Sequence, residues 1–212
     1  MPCLRRSRRQ WLNACGGPFD VNPALPTAVA GAVSTLGDSI TAGTTVTTPW
    51  PTTLGTALGG SYPVTNNGVN ASTTSDLVTR WFGTIKGTGK KWLTVLGGVV
   101  DALNSVPAEV AILNLKTIYE NAMRDGVRVV PITILPYGSY ASWTSGGQAI
   151  IDAINTWIRS YCAARSIPYV EAYNSALNDG AGNLATIYNG DGLHPNQAGA
   201  DYIETLVRAK FP

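Results

Sequence analysis

The chain has 212 residues, room for one domain with a substantial core and little space for a second. Charged residues make up 13% of it, about half the usual share, and four of its fifteen basic residues (Arg5, Arg6, Arg8, Arg9) fall within the first nine positions. The other eleven are set against thirteen acidic residues, so the body offers no basic face to nucleic acid, and no run of eighteen apolar residues offers a membrane span.

Residues 1–27 lack periodicity and are interrupted by Pro18, Pro23 and Pro26, which predicts an irregular extension. Ser7-Arg8-Arg9-Gln10-Trp11-Leu12 resembles a twin-arginine export signal, but the glycines and prolines that follow make a poor apolar region. Export is left open on that stretch alone. Cys3 and Cys15 are close enough in sequence to pair, though nothing requires it. Cys162 falls within a helical pattern and reads as a small buried apolar residue.

An apolar run, Val29 to Leu36, is the first predicted strand. Trp50-Pro51 opens a helix through Leu58, with proline where its missing N–H costs little. Tyr62 to Asn66 is a short second strand, followed by the polar loop Asn67 to Thr73. Ser75 and Asp76 can cap a helix to about Ile85, with Leu77, Val78, Trp81 and Phe82 on one face. Trp92 to Leu96 is a buried strand ended by Gly97-Gly98.

Pro107 to Arg124 is the clearest helix, with Val110, Leu113, Thr117, Ile118 and Met123 roughly at helical spacing and Gly126 as its stop. Val127 to Leu135 is a β-branched fourth strand. An aromatic loop, Tyr137 to Gly147, leads to a helix over Gln148 to Arg165. Ile167 to Val170 is the fifth strand, and a long loop from Tyr173 to Pro195 precedes a last helix over Asn196 to Lys210. Five alternations of strand and helix predict a doubly wound, mostly parallel α/β sheet, in which ligands gather at the carboxyl ends of the strands.

Gly37-Asp38-Ser39 lies at that edge, where the first strand stops. Three turn-favouring residues form an ordinary turn, but a serine here is also held rigidly with free backbone N–H groups behind it. His194, the single histidine, sits in Asp191-Gly192-Leu193-His194-Pro195. Asp and His three apart on one loop can meet side chain to side chain. The carboxylate then fixes the tautomer through Nδ1 and leaves Nε2 to take a proton from a serine. Asp191 also suits a simple Asx turn. One histidine and no CxxC spacing leave no metal cluster, and no cofactor is expected.

Gly37-Asp38-Ser39, Gly68 in the loop after the second strand, Gly98-Val99-Val100-Asp101 after the third, and Asp191-x-x-His194 together resemble the SGNH (GDSL) hydrolase family in order and spacing. The resemblance runs from Val29 onward. It implies one domain over 28–212 with a flavodoxin-like three-layer α/β/α sandwich and a five-stranded, mostly parallel sheet. It also implies Ser39 as nucleophile, His194 as general base, Asp191 as the residue that orients it, and the Ser39 and Gly68 N–H groups as oxyanion donors. Asp38 would hold its loop. The family's third donor is an asparagine, and here that position is Val100. Loss of one such donor typically costs roughly 10²–10³ in kcat. Asn70, two residues past Gly68, is the best substitute, and Asn104 is a weaker one.

The implied activity is a serine esterase, impaired at Val100, acting on short acyl esters such as acetyl groups on carbohydrate, or on aryl esters. Trp50, Tyr137, Tyr140, Trp143 and Tyr188 lie in loops that could border such a substrate, although each could simply cover the sheet edge. Two rivals stay open: a catalytically weakened carbohydrate-binding module, and an acyltransferase or thioesterase with the same triad. Beyond an ester substrate, no macromolecular partner is indicated.

Overall fold

A computed structural model describes residues 23–212. Strand β1 (Val33–Gly37) is central and every one of its residues is buried, as is every residue of β3 (Trp92–Leu96) beside it. That accounts for their near-continuous apolar runs, since a parallel strand covered on both faces has no polar side to show. β2 (Val64–Gly68) lies on the other flank of β1 and is half-exposed, which is why it reads as Thr-Asn-Asn rather than as an apolar run.

β4 (Arg128–Pro131) pairs with β3. All pairings are parallel, with Val33 opposite both Val64 and Trp92. The order β2-β1-β3-β4 is that of a flavodoxin-like sheet.

The expected fifth strand, Ile167 to Val170, is reduced to one parallel bridge between Ile132 and Val170. The cause is local. Pro168 has no N–H to give, and the N–H groups of Ala172 and Tyr173 go to the Thr133 hydroxyl rather than to a strand backbone. The fourth strand also stops short of Leu135. Beyond it the Ile134 N–H and C=O are both taken by the buried side chain of Asn155, at 2.7 and 3.1 Å.

The helices form two layers. On one face α2 (Trp50–Leu58) packs on α7 (Gln197–Arg208). On the other, α3 (Thr74–Arg80) packs on α5 (Ala108–Arg124), which packs on α6 (Ser145–Arg165). The α3 helix is capped by Thr73 in a reciprocal box with Asp76, and it continues through a π turn over Trp81–Ile85.

In α5 the buried stripe is Ala111, Leu115, Ile118, Tyr119, Ala122 and Met123, while Val110 and Leu113 are exposed. Ile118 and Met123 keep their expected places, while Val110 and Leu113 face outward instead. The spacing from Ala111 to Ala122 carries Tyr119 inward, and there it meets Trp157 and Tyr161 of α6. Cys162 is buried, and desolvation lifts its thiol to about 12. The basic cluster at Arg5–Arg9, the Ser7–Leu12 stretch, Cys3 and Cys15 lie outside the described residues.

Candidate active site

β1 ends at Gly37, and a four-residue helix, α1 (Ser39–Ala42), starts almost at once. The reversal is tight: a Cβ on Gly37 would lie 2.1 Å from the Thr41 hydroxyl. Asp38 caps α1 by accepting the Ile40 N–H at 3.0 Å. Ser39 takes the first position of α1 and is 7% exposed, with its backbone N–H in the first turn, where a helix supplies no acceptor of its own.

His194 arrives from the far end of the chain. Its Nε2 is 2.8 Å from Ser39 Oγ and its Nδ1 is 2.8 Å from Asp191 Oδ2. The other carboxylate oxygen of Asp191 accepts the Leu193 and His194 N–H groups at 3.0 and 2.7 Å. Asp191 is thus both the Asx-turn residue and the histidine's partner, and the two readings open in the sequence coincide. Burial pushes its carboxyl upward, but the hydrogen bonds from His194 and Leu193 outweigh this and hold it below the usual range.

The loop is tied down from the nucleophile's side. Thr45 Oγ1 donates to the Pro195 carbonyl at 2.9 Å, and Thr48 exchanges two hydrogen bonds with the Gln197 side chain.

Asp38 is wholly buried beneath this arrangement. Desolvation lifts its carboxyl to about 6, against the Ile40 N–H and the charges of His194 and Arg80, which lower it. Its Oδ2 has no hydrogen-bond partner among the described residues. Arg80, at the end of α3, donates to the Gly37 carbonyl at 2.8 Å. The sequence marked neither Arg80 nor Gln197, because an arginine or glutamine at a helix end ordinarily reads as solvated surface.

Gly68 ends β2 against α1, and an added Cβ would sit 2.1 Å from the Ala42 nitrogen. Its N–H donates to Asn66 Oδ1 at 2.8 Å. Val100 lies in the first turn of α4 (Val99–Leu103), 9% exposed. Its neighbour Asp101 is buried and holds α3, accepting the Thr74 N–H at 2.8 Å and hydroxyl at 2.7 Å. The Asn70 carbonyl oxygen accepts from Thr44 Oγ1 at 3.0 Å, which leaves its amide NH₂ without a partner among the described residues. Asn104 caps the far end of α4 and is exposed.

Two of the five aromatics expected at the rim are core residues. Trp50 is 0% exposed and Tyr137 1%, so neither offers a face to a ligand. Trp50 opens α2 and is drawn inward with Leu54, while Tyr137 follows the buried Ile132–Leu135 run. Tyr140 is half-buried, Tyr188 stacks on Tyr202 with ring centroids 5.2 Å apart, and Trp143 is 41% exposed.

The fold is shared with solved structures of low sequence identity. A G-D-S-L family protein from Desulfitobacterium hafniense DCB-2 is similar at 22% identity and a TM-score of 0.74, over 85% of this chain and 99% of that one. A GDSL-like lipase from Bacteroides thetaiotaomicron VPI-5482 is similar at 21% and 0.71, over 84% and 86%. An acetyl xylan esterase, AlAXEase, is similar at 15% and 0.71, over 84% and 98%. No curated protein matches the chain significantly. Residues 35–202 match the model of the GDSL-like lipase/acylhydrolase family, and the chain therefore belongs to that family of ester hydrolases.

Proposed function

We propose that the chain is a serine esterase for short acyl esters, acetyl esters of carbohydrate foremost, working through Ser39, His194 and Asp191. What supports this is the line Asp191–His194–Ser39, with 2.8 Å at each link.

Ser39 Oγ adds to the ester carbonyl carbon as its proton passes to His194 Nε2, and the carbonyl π pair moves onto oxygen. Asp191, held as a carboxylate, stabilises the imidazolium that forms. Collapse expels the alcohol oxygen, which takes the proton from Nε2. Water then loses a proton to the same nitrogen and adds to the acyl-enzyme, and Ser39 leaves reprotonated.

The Ser39 N–H faces the developing oxyanion in this reading. Gly68 joins it once its N–H exchanges Asn66 for the oxyanion. Val100 brings methyl groups to the place where the family has an amide, and the unpartnered amide of Asn70 is the substitute within reach of the same loop. The absence of a long apolar stretch or a large lid insertion favours short acyl groups over long chains. The acetyl xylan esterase among the structural neighbours agrees with acetyl carbohydrate as the leading substrate class.

A serine-directed fluorophosphonate, followed by peptide mapping, tests the reading. Modification of Ser39 is expected, and labelling confined to another residue would contradict it. Product analysis with added alcohol acceptors separates hydrolysis from acyl transfer. The carbohydrate-binding alternative rests on Val100 and requires sugar binding without turnover.

A further inference from the structure

A cleft lies beside Gly138, at the start of the segment 138–140 that also meets the His194 loop. Its volume is ≈ 820 Å³, within the range of about 300–1,000 Å³ typical of small-molecule sites. Trp143, the first turns of α6 and the loop from Tyr173 to Asn183 form its walls.

The outer loop is fixed by its own side chains. Asn178 Oδ1 accepts the N–H groups of Gly180 and Gly182 at 2.8 and 3.1 Å, and Asp179 Oδ1 accepts those of Ala181 and Asn183. The Gly138 N–H donates to the Gly182 carbonyl at 2.9 Å, which joins this loop to the aromatic one. The cleft is therefore organised before any ligand arrives, which lowers the ordering cost of binding.

The chemistry of its walls is specific. Gln148 Nε2 donates to Asp152 Oδ1 at 2.8 Å and to the Tyr173 hydroxyl at 3.0 Å, so Tyr173 keeps its own proton to give. Asp152 Oδ2 and Asn183 Oδ1 remain acceptors and Asn178 Nδ2 remains a donor, none of them engaged by another described residue. Trp143, 41% exposed, supplies an indole whose N–H points to Gln148 Oε1 at 3.4 Å. Among the described residues, no lysine or arginine lines the cleft, and Asp152 is its one charged side chain. These walls disfavour an anion, and their polar groups disfavour an acyl chain. An aromatic face beside paired hydroxyl acceptors and donors suits a neutral sugar, whose C–H face stacks while its hydroxyls are shared between carboxylate and amide.

The cleft and the triad loop meet neighbouring residues of one short segment. A Cβ on Gly192 would meet Ser139 O and Tyr140 N at 2.7 and 2.8 Å. Gly138, on the cleft side, is two residues from Tyr140, a span of at most about 7 Å. We infer that this cleft holds the neutral oligosaccharide part of the substrate, with the acyl ester reaching over the 138–140 segment to Ser39. The inference rests on the serine esterase reading for that last step but not for binding.

The test is calorimetric titration of the full-length Ser39→Ala protein, and of the wild type, with unacetylated xylotetraose, cellotetraose and maltotetraose. At least one should bind both proteins with a Kd of about 1 mM or tighter. Trp143→Ala should weaken that binding at least about tenfold and Asp152→Asn should weaken it measurably, with thermal melts showing both variants folded. Absence of binding by all three sugars overturns the inference, as does full affinity in folded Trp143→Ala. Because these ligands carry no ester, failure here leaves the esterase reading standing, and failure to label Ser39 leaves the sugar site standing.

Discussion

Thr48 and Gln197 bind one another twice: the Thr48 N–H donates to Gln197 Oε1 at 3.0 Å, and Gln197 Nε2 donates to the Thr48 carbonyl at 3.0 Å. This amide clasp joins the loop that follows Ser39 to the start of α7, three residues beyond His194. Two segments about 150 positions apart in sequence are thereby held in one register. The same two segments carry Ser39 and His194, which approach to 2.8 Å.

Gln197→Ala removes both bonds, together with an exposed one from Nε2 to Asp201, while leaving every triad residue in place. A loss of about 1–3 kcal/mol in stability is expected from two partly buried hydrogen bonds. On p-nitrophenyl acetate kcat should fall about tenfold or more with KM little changed, since small misplacement of reacting groups is costly. Thermal melting and steady-state kinetics together check this. Loss of stability with kcat intact would make the clasp purely structural.

Asp38 should shape the pH dependence of stability. Its carboxyl rises from 3.8 to about 6 on folding because it is buried, in the field of Arg80 and His194. Between those values the folded protein holds a proton that the unfolded chain has released, so this group's contribution falls as pH rises, by about 3 kcal/mol in all. Asp191 acts the other way: its carboxyl is held low when folded, so its contribution is lost as pH falls through that depressed value. Urea unfolding across pH 4–7 should show a downward slope that Asp38→Asn removes. An unchanged slope in the variant would contradict the assignment.

Asn155 replaces a strand partner for Ile134. Asn155→Leu strands a buried N–H and a buried C=O, and should cost about 2–5 kcal/mol in chemical denaturation. A cost below about 0.5 kcal/mol would mean that those groups find other partners.

Val100→Asn would supply the amide that the resemblance to the SGNH family implies at this point. A gain near a hundredfold in kcat is expected if the rest of the oxyanion site is intact. No gain would place the third donor elsewhere, with Asn70 the first position to substitute.

Much of this was legible from residues alone. β1 and β3 announced themselves as largely apolar runs, and α2 was marked by Trp50-Pro51. The pairing of Asp191 with His194 followed from their spacing, and that of His194 with Ser39 from the resemblance to the SGNH family. Other features were hidden for physical reasons. The fifth strand looked ordinary because the capture of two N–H groups by the Thr133 hydroxyl is a tertiary event. The buried face of α5 was misread in part, because Val110 and Leu113 are apolar yet exposed while small Ala111 and Ala122 face inward. Trp50 and Tyr137 looked like rim residues because they border loops, and only packing shows that both point into the core. Arg80 and Gln197 carry polar contacts to distant backbone, which no local pattern encodes.

The most direct measurement is the turnover of p-nitrophenyl acetate by Ser39→Ala, with circular dichroism showing the variant folded. The account predicts a fall in kcat of about 10³-fold or more, since the nucleophile and the proton it gives to His194 are both gone. Turnover at the wild-type rate would contradict it.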